Sequence, residues 1–100
     1  MTIDVQNLPV NNNEIAQRFE VALDDQLAVI EYKKAGHVYT MTHTEVPPSF
    51  AGKGIAQHLV KSALDMVQAE GGQVVPQCPY VKTYIQRHPE YQPLIAPTHA

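Results

Sequence analysis

The string Gly52-Lys53-Gly54 is the first feature whose residue types suggest chemistry. It lies between a predicted strand and a predicted amphipathic helix. Consecutive unpaired N–H groups at a helix start bind phosphate or pyrophosphate, and glycine lets the anion approach the backbone closely. Lys53 adds a positive charge. We therefore predict an anion-binding loop, although a lone Gly-x-Gly is more often a flexible turn at a helix start.

The loop matches neither of the common nucleotide-binding motifs. Gln57 stands where a dinucleotide fingerprint has its third glycine, and the Gly-Lys-Ser/Thr end of a P-loop is missing. The net charge places no restriction on a small anion, because backbone amides and one or two local cations can bind it.

Cys78, the single cysteine, is a second candidate. Pro79 suits the first position of a helix, so Cys78 is predicted at or beside a helix N-cap. There the positive end of the helix dipole favours a thiolate, the nucleophilic form of the side chain. A buried, inert cysteine fits this placement equally well. One cysteine cannot form an intrachain disulfide, which indicates an intracellular chain.

His43 and Glu45 form a third candidate, near the end of a predicted strand over residues 38–46. The period of two puts them on one face with Tyr39 and Met41. A base at this position could take a proton from an incoming amine or from a thiol. A hydrogen-bonded structural histidine and a solvent-facing glutamate are the simpler interpretation.

The elements that must position these groups follow from hydrophobic periodicity. An antiparallel meander of three strands is predicted first, then a helix, a strand returning parallel to the third one, and a last helix. Residues 1–18, with an Asn11-Asn12-Asn13 turn, are expected to be loosely specified, and residues 33–36 to form a hairpin loop. The predicted fold class is α+β with a mixed sheet. The ranges are 18–23, 27–32 and 38–46 for the meander, then a helix from residue 55 that Gly71-Gly72 ends, a strand over 73–76 and a helix over 79–88.

Length and composition limit the remaining possibilities. A chain of 100 residues with 44% hydrophobic content fits one domain, so residues 1–100 are predicted to be a single unit. Ten acidic and seven basic residues give a charge of −3, which does not favour nucleic acid or an anionic membrane as partner. No signal peptide or membrane-spanning stretch is recognisable. We predict a cytoplasmic protein without a metal site, as a monomer or weak homodimer.

This order of elements, with a proline exit before the glycine loop, resembles the core of the GNAT N-acetyltransferase superfamily. The superfamily's loop reads Gln/Arg-x-x-Gly-x-Gly/Ala, and its amides bind the pyrophosphate of acetyl-CoA. Here residues 49–54 read Ser-x-x-Gly-x-Gly, so Ser49 departs from the pattern at the position where the superfamily has a longer polar side chain.

The sequence is more similar still to small GNAT-like proteins that contain little beyond the acetyl-CoA core. The match covers about residues 11 to 95, and its two C-terminal blocks are more specific than the loop. Ala51 is a departure, because these proteins often carry a charged residue there. The matching blocks are Arg18-Phe19-Glu20, His43-Thr44-Glu45-Val46-Pro47, Gly52-x-Gly54-Ile55-Ala56 with Leu59-Val60, Val75-Pro76-x-Cys78-Pro79-Tyr80-Val81 and Tyr84-Ile85-x-Arg87-His88-Pro89-Glu90-Tyr91.

The resemblance implies a minimal GNAT-type fold that uses acetyl-CoA as cosubstrate and acetylates an unidentified amine, directly or through Cys78. A non-catalytic coenzyme A or acyl-CoA binding module, and a structural domain that has lost the ligand, are the alternatives. The catalytic candidates are Cys78, Glu45 and His43. The expected cofactor-binding residues are Val46, Ser49, Phe50, Ala51, Gly52, Lys53, Gly54, Ile55, Ala56 and Tyr84.

Overall fold

The computed structural model describes residues 5–97 and contains a five-stranded sheet with two α-helices. The strands lie in the order β1-β2-β3-β4-β5, antiparallel except for the parallel pair β4 and β5. The predicted mixed-sheet α+β class is thus confirmed. The elements are β1 (Val10–Asn13), β2 (Arg18–Leu23), β3 (Gln26–Ala35), β4 (Val38–Glu45), α1 (Ile55–Ala69), β5 (Gln73–Pro76) and α2 (Pro79–Arg87), with short 3-10 turns at Val5–Asn7, Pro48–Phe50 and Pro89–Leu94.

One face of the sheet and the apolar stripe of α1 enclose the core. Phe19 and Val21, which alternate with polar or small residues in β2, are buried there as the period of two predicts. The helical spacing of α1 is confirmed as well, because every apolar residue that it predicted for the buried face is fully covered. These residues are Ile55, Leu59, Val60, Ala63, Leu64 and Val67.

The described part of the N-terminal segment departs from the sequence prediction, and residues 1–4 of the predicted segment lie outside the described residues. Asn11, Asn12 and Asn13 do not form a turn but belong to β1, which pairs with β2. Two contacts explain the strand: Val10 is buried opposite Val21, and the Tyr32 hydroxyl donates a hydrogen bond to Asn12 Oδ1 at 2.5 Å. Tertiary contacts therefore outweigh the turn preference of asparagine.

The hairpin between β3 and β4 is also tighter than predicted. Lys33, Lys34 and Ala35 continue β3, and only Gly36 and His37 form the turn. Gly36 has φ of +62°, a conformation that glycine adopts without steric cost. The Lys34 ammonium lies 4.9 Å from the centre of the Tyr39 ring, an attraction that helps to keep this end of the strand ordered.

A β-bulge at Thr42 inverts the alternation of β4. Met41 pairs with Tyr32 and His43 pairs with Glu31, so Thr42 is an extra residue without a backbone pair in β3, and its hydroxyl donates to the Glu31 carbonyl oxygen at 3.4 Å. Beyond the bulge Thr44 lies opposite Ile30, on the core face, and His43 and Glu45 point to the other face. The prediction that these two share a face with Tyr39 and Met41 is therefore wrong, because an inserted residue shifts the period by one.

The strands β4 and β5 separate next to the bulge. Their parallel pairing ends at Met41 and Pro76. The chain then turns into α2, and the N–H groups of Gln77 and Cys78 both donate to the Met41 carbonyl oxygen, at 3.1 and 2.9 Å. The sheet is consequently open between β4 and the start of α2.

The C-terminal segment packs on the body, as predicted. Tyr91 and Leu94 are buried, and Ile95 forms a parallel bridge with Val74 beyond β5. The Tyr91 hydroxyl donates to Asp65 Oδ1 in α1 at 2.7 Å. Within residues 5–97 no helix has the length and apolar character needed to span a bilayer.

Candidate functional site

The loop between β4 and α1 is held by its own short-range contacts. Phe50 is buried in the core and anchors the Pro48–Phe50 turn. Gly52 and Gly54 both have φ of +75°, and Gly54 is the N-cap of α1 in the left-handed conformation. Residues with a Cβ avoid this region, so the two glycines are what allow the chain to enter the helix in this way.

The start of α1 presents a row of free backbone donors. The first N–H of the helix that finds an acceptor is that of His58, which bonds to the Gly54 carbonyl oxygen at 3.0 Å. Within the described part of the chain, five earlier N–H groups have no protein acceptor; they belong to Gly52, Gly54, Ile55, Ala56 and Gln57. Together with the positive end of the helix dipole they make an anion-binding position.

An open groove of about 520 Å³ lies over this row. Of the predicted cofactor residues, Ser49, Lys53 and Tyr84 do not line it; the Ser49 hydroxyl donates instead to Gln26 Oε1 in β3. Two lining residues escaped the sequence analysis, Gln57 and Tyr80. The sequence could have identified them by their positions, because Gln57 lies in the first turn of α1 and Tyr80 in the first turn of α2. The full lining is Val46, Phe50, Ala51, Gly52, Gly54, Ile55, Ala56, Gln57 and Tyr80.

Cys78 occupies the place that the sequence predicted, the N-cap of α2. Its side chain is buried, with 4% of the residue's surface exposed. The sulfur lies 3.0 Å from the Thr44 hydroxyl oxygen, a partner that the bulge turns to the core face. The thiol thus lies where β4 and β5 separate, with a hydroxyl rather than a base as its neighbour.

His43 and Glu45 lie together on the opposite face of the sheet. His43 Nε2 is 3.7 Å from Glu45 Oε1, and the two side chains are 57% and 69% exposed. Since Thr44, the neighbour of Cys78, points to the core, the structure does not bring these two residues together with the thiol.

A second groove, of about 610 Å³, continues from the first along α2. The two grooves share Gln57 and Tyr80. Tyr84 lies in this second groove with its ring stacked on His88, 4.0 Å between centroids and 15° between planes. Burial raises the pKa of the Tyr84 hydroxyl, so the ring remains neutral over the physiological range.

Comparisons with known proteins agree with this architecture. The family model described as GCN5-related N-acetyl-transferase matches residues 18–94. A protein called NATD1 from Gallus gallus is 34% identical over 85 residues, which cover 82% of this chain and 77% of that protein. NATD1 from Homo sapiens is 35% identical over 83 residues, which cover 80% of this chain and 74% of that protein.

The fold has a solved counterpart. The solution NMR structure of a Staphylococcus aureus protein, described as a GCN5-like candidate N-acetyltransferase, superposes with a TM-score of 0.68 at 21% identity. The superposition covers 93% of this chain and 92% of that one. The family match spans most of the chain, including the glycine loop, both helices and Cys78, and the chain belongs to the GCN5-related N-acetyltransferase family.

Proposed function

We propose that this chain is an acetyl-CoA-dependent N-acetyltransferase whose acceptor is an amine. The observation that supports it most strongly is the row of free N–H groups between Gly52 and Gln57 along the open groove. Such a row suits the pyrophosphate of acetyl-CoA, because it combines hydrogen-bond donors with the positive end of a helix. The Ser49 hydroxyl is used by Gln26, so the backbone supplies these contacts.

The open region between β4 and β5 suits the extended arm of the same substrate. Beyond Thr42, β4 pairs only with β3 among the described residues, which leaves its other edge for hydrogen bonds. The amides of the pantetheine arm can add to that edge as a peptide strand would. The arm then directs the thioester toward Thr44 and Cys78.

The transfer step is written as direct attack. The amine nitrogen attacks the thioester carbonyl carbon, the carbon–sulfur bond breaks, coenzyme A leaves, and the amine proton passes to a base. We assign the base to the pair His43 and Glu45, which flank Thr44 in β4, because an amine that enters the gap between β4 and β5 from the exposed outer face passes these two side chains. The route through an acetylated Cys78 requires an activated thiol, whereas the thiol's polar neighbour is the Thr44 hydroxyl.

Binding is tested by calorimetry and thermal unfolding with acetyl-CoA. A substrate that binds only the native chain must raise the unfolding temperature, and at a hundredfold excess over Kd it adds about 2.7 kcal/mol to the free energy of unfolding. If millimolar acetyl-CoA and coenzyme A gave neither heat nor thermal stabilisation, the proposed function would be wrong.

Three variants distinguish the transfer routes in an assay with labelled acetyl-CoA and a panel of amines. His43→Gln and Glu45→Gln are each prepared, and loss of the residue that acts as base lowers kcat at least about a hundredfold. Cys78→Ala keeps kcat within about fivefold, since a direct attack does not use the thiol. Mass spectrometry showing a stoichiometric S-acetyl group on Cys78 without acceptor would contradict the direct route.

A binding module without turnover is the second candidate function. It is favoured by the high exposure of His43 and Glu45, whose side chains form no ion pair among residues 5–97 other than the one between them. Such loosely held groups do not form the positioned base that efficient catalysis requires. This candidate predicts binding of coenzyme A together with no acetylation of any amine in the panel.

A further inference from the structure

Two further grooves adjoin the groove over the glycine loop. One runs along α2 and carries Tyr80, Tyr84 and Arg87. The other lies between the N-terminal segment and α1 and carries His58 and Lys61, with Tyr84 and His88 at its border with the α2 groove. All three grooves share Gln57. Because adenosine is joined directly to the pyrophosphate of coenzyme A, it must leave the loop groove through one of these two neighbours.

In the N-terminal groove the two basic side chains of α1 are already used. Lys61 Nζ lies 2.8 Å from Asp65 Oδ2, and His58 Nε2 lies 2.7 Å from the Leu8 carbonyl oxygen. In the α2 groove, by contrast, Arg87 has no carboxylate within ion-pair distance among residues 5–97. An unpaired guanidinium in a groove has donors available for a phosphate.

Three residues of α2 form a stripe along this groove. Tyr80, Tyr84 and Arg87 are four and three positions apart, so they share one helix face over two turns. Tyr80 is 40% exposed and presents its ring, whereas Tyr84 is covered by the His88 ring. The stripe thus offers an open aromatic surface at one end and a cation at the other.

We propose that this stripe binds the adenosine 3′-phosphate end of coenzyme A, with adenine against the Tyr80 ring and the 3′-phosphate on Arg87. The proposal rests on the proposed function, since it places the remaining part of the same substrate. The complementarity is one of shape and charge: bases stack on aromatic rings, and a guanidinium matches two phosphate oxygens. Through Arg87, the stripe also makes the chain bind coenzyme A more tightly than its 3′-dephosphorylated form.

Calorimetric titration with coenzyme A and with 3′-dephospho-coenzyme A tests the proposal. The wild-type chain is expected to bind coenzyme A about tenfold more tightly than the dephosphorylated form. Arg87→Gln lowers that ratio below about twofold, because only the 3′-phosphate contact is lost. Arg87→Lys retains part of the ratio, which shows that the loss in Arg87→Gln does not come from misfolding.

Lys82→Gln is the matched control. Lys82 lies on the same helix and carries the same charge, but it faces a different groove, formed with β5 and the C-terminal segment. The Lys82→Gln variant should still bind coenzyme A about tenfold more tightly than 3′-dephospho-coenzyme A. An equal drop in Lys82→Gln would overturn the proposal, because the preference would then come from the net charge of the helix.

The stacking of adenine on Tyr80 is tested with separate variants. Tyr80→Ala is expected to weaken both forms of the cofactor by about tenfold, and Tyr80→Phe to keep the affinity, since stacking needs the ring and not the hydroxyl. An unchanged ratio in Arg87→Gln, with coenzyme A still bound, would overturn the adenosine assignment and leave the proposed function standing. Absence of coenzyme A binding in the wild-type chain would overturn both.

Discussion

At Gly54 the chain needs a left-handed residue and an open approach to the backbone at the same point. Its φ is +75°, and a Cβ built there would meet nothing within 4 Å. Gly54→Ala therefore costs about 1 to 2 kcal/mol of stability through backbone strain alone. Because Gly54 also lines the proposed pyrophosphate groove, we expect coenzyme A affinity to fall at least about tenfold. Urea unfolding and calorimetry measure the two effects.

Gly36 supplies the matched control for this variant. Its φ is +62°, a Cβ there is equally free of contacts, and it lies in the hairpin between β3 and β4, away from the lined groove. Gly36→Ala should cost a similar amount of stability and leave coenzyme A binding unchanged. Equal affinities of the two alanine variants would show that Gly54 has no role in binding.

Single residues were predictable where local chemistry decides their position. Pro79 identified Cys78 as the N-cap of α2, and the apolar spacing of α1 identified the start of the helix after Gly54. Tyr80 and Arg87 were not predicted as groove residues, because their spacing on α2 fits any exposed helix face. That face becomes the wall of a groove only because α1 lies beside α2.

At the scale of elements, the bulge in β4 is the feature that the sequence did not reveal. Residues 38–45 keep a regular alternation of residue types, so nothing in the pattern indicates the extra residue. The insertion becomes visible only in the pairing with β3, where Thr42 has no partner. Long-range pairing of this kind depends on the partner strand, which a single-strand pattern does not contain.

The pairing between β4 and β5 also ends next to the bulge. Their pairing ends at Met41 and Pro76, immediately before Thr42. A bulged strand bends and twists more strongly than a regular one, so we infer that Thr42 keeps the two strands apart. The extra residue would thereby maintain the opening for the pantetheine arm.

Deletion of Thr42 tests this role. Removing it keeps Thr44 on the core face and His43 on the outer face, because the pairs with Ile30 and Glu31 remain in register. The sheet should therefore still form, while the straightened β4 closes toward β5 and coenzyme A affinity falls at least about tenfold. Circular dichroism and calorimetry are the measurements; a folded deletion variant with wild-type affinity would contradict the assigned role.

At the scale of the whole molecule, the sheet topology could be predicted from the order of strands and helices along the chain. A meander, a crossover helix and a parallel strand leave few topologies open, and the observed sheet agrees with the expected one. The added strand β1 was missed because its pairing relies on Val10 and Tyr32, residues whose contacts form only in the assembled core. Local preference is weak evidence at such an edge.

The five tyrosines make the stability of the whole fold depend on pH in the alkaline range. All five have pKa values above the ordinary 10.0, with burial as the largest cause. The folded chain thus holds these protons more tightly than the unfolded chain. The corresponding stabilisation is complete below about pH 10 and is lost as the pH rises through the folded values.

Tyr91→Phe measures the part of this effect that comes from one ring. The Tyr91 hydroxyl is buried and donates to Asp65, and its pKa is raised the most clearly of the five. Without it the chain loses about 1 kcal/mol or more at neutral pH. Above about pH 10.5 its free energy of unfolding should fall less steeply than that of the wild type, by about 1.4 kcal/mol per pH unit. Urea unfolding at 25 °C from pH 8 to about pH 11.5 gives both slopes, and parallel curves would show that Tyr91 titrates alike in the folded and unfolded chains.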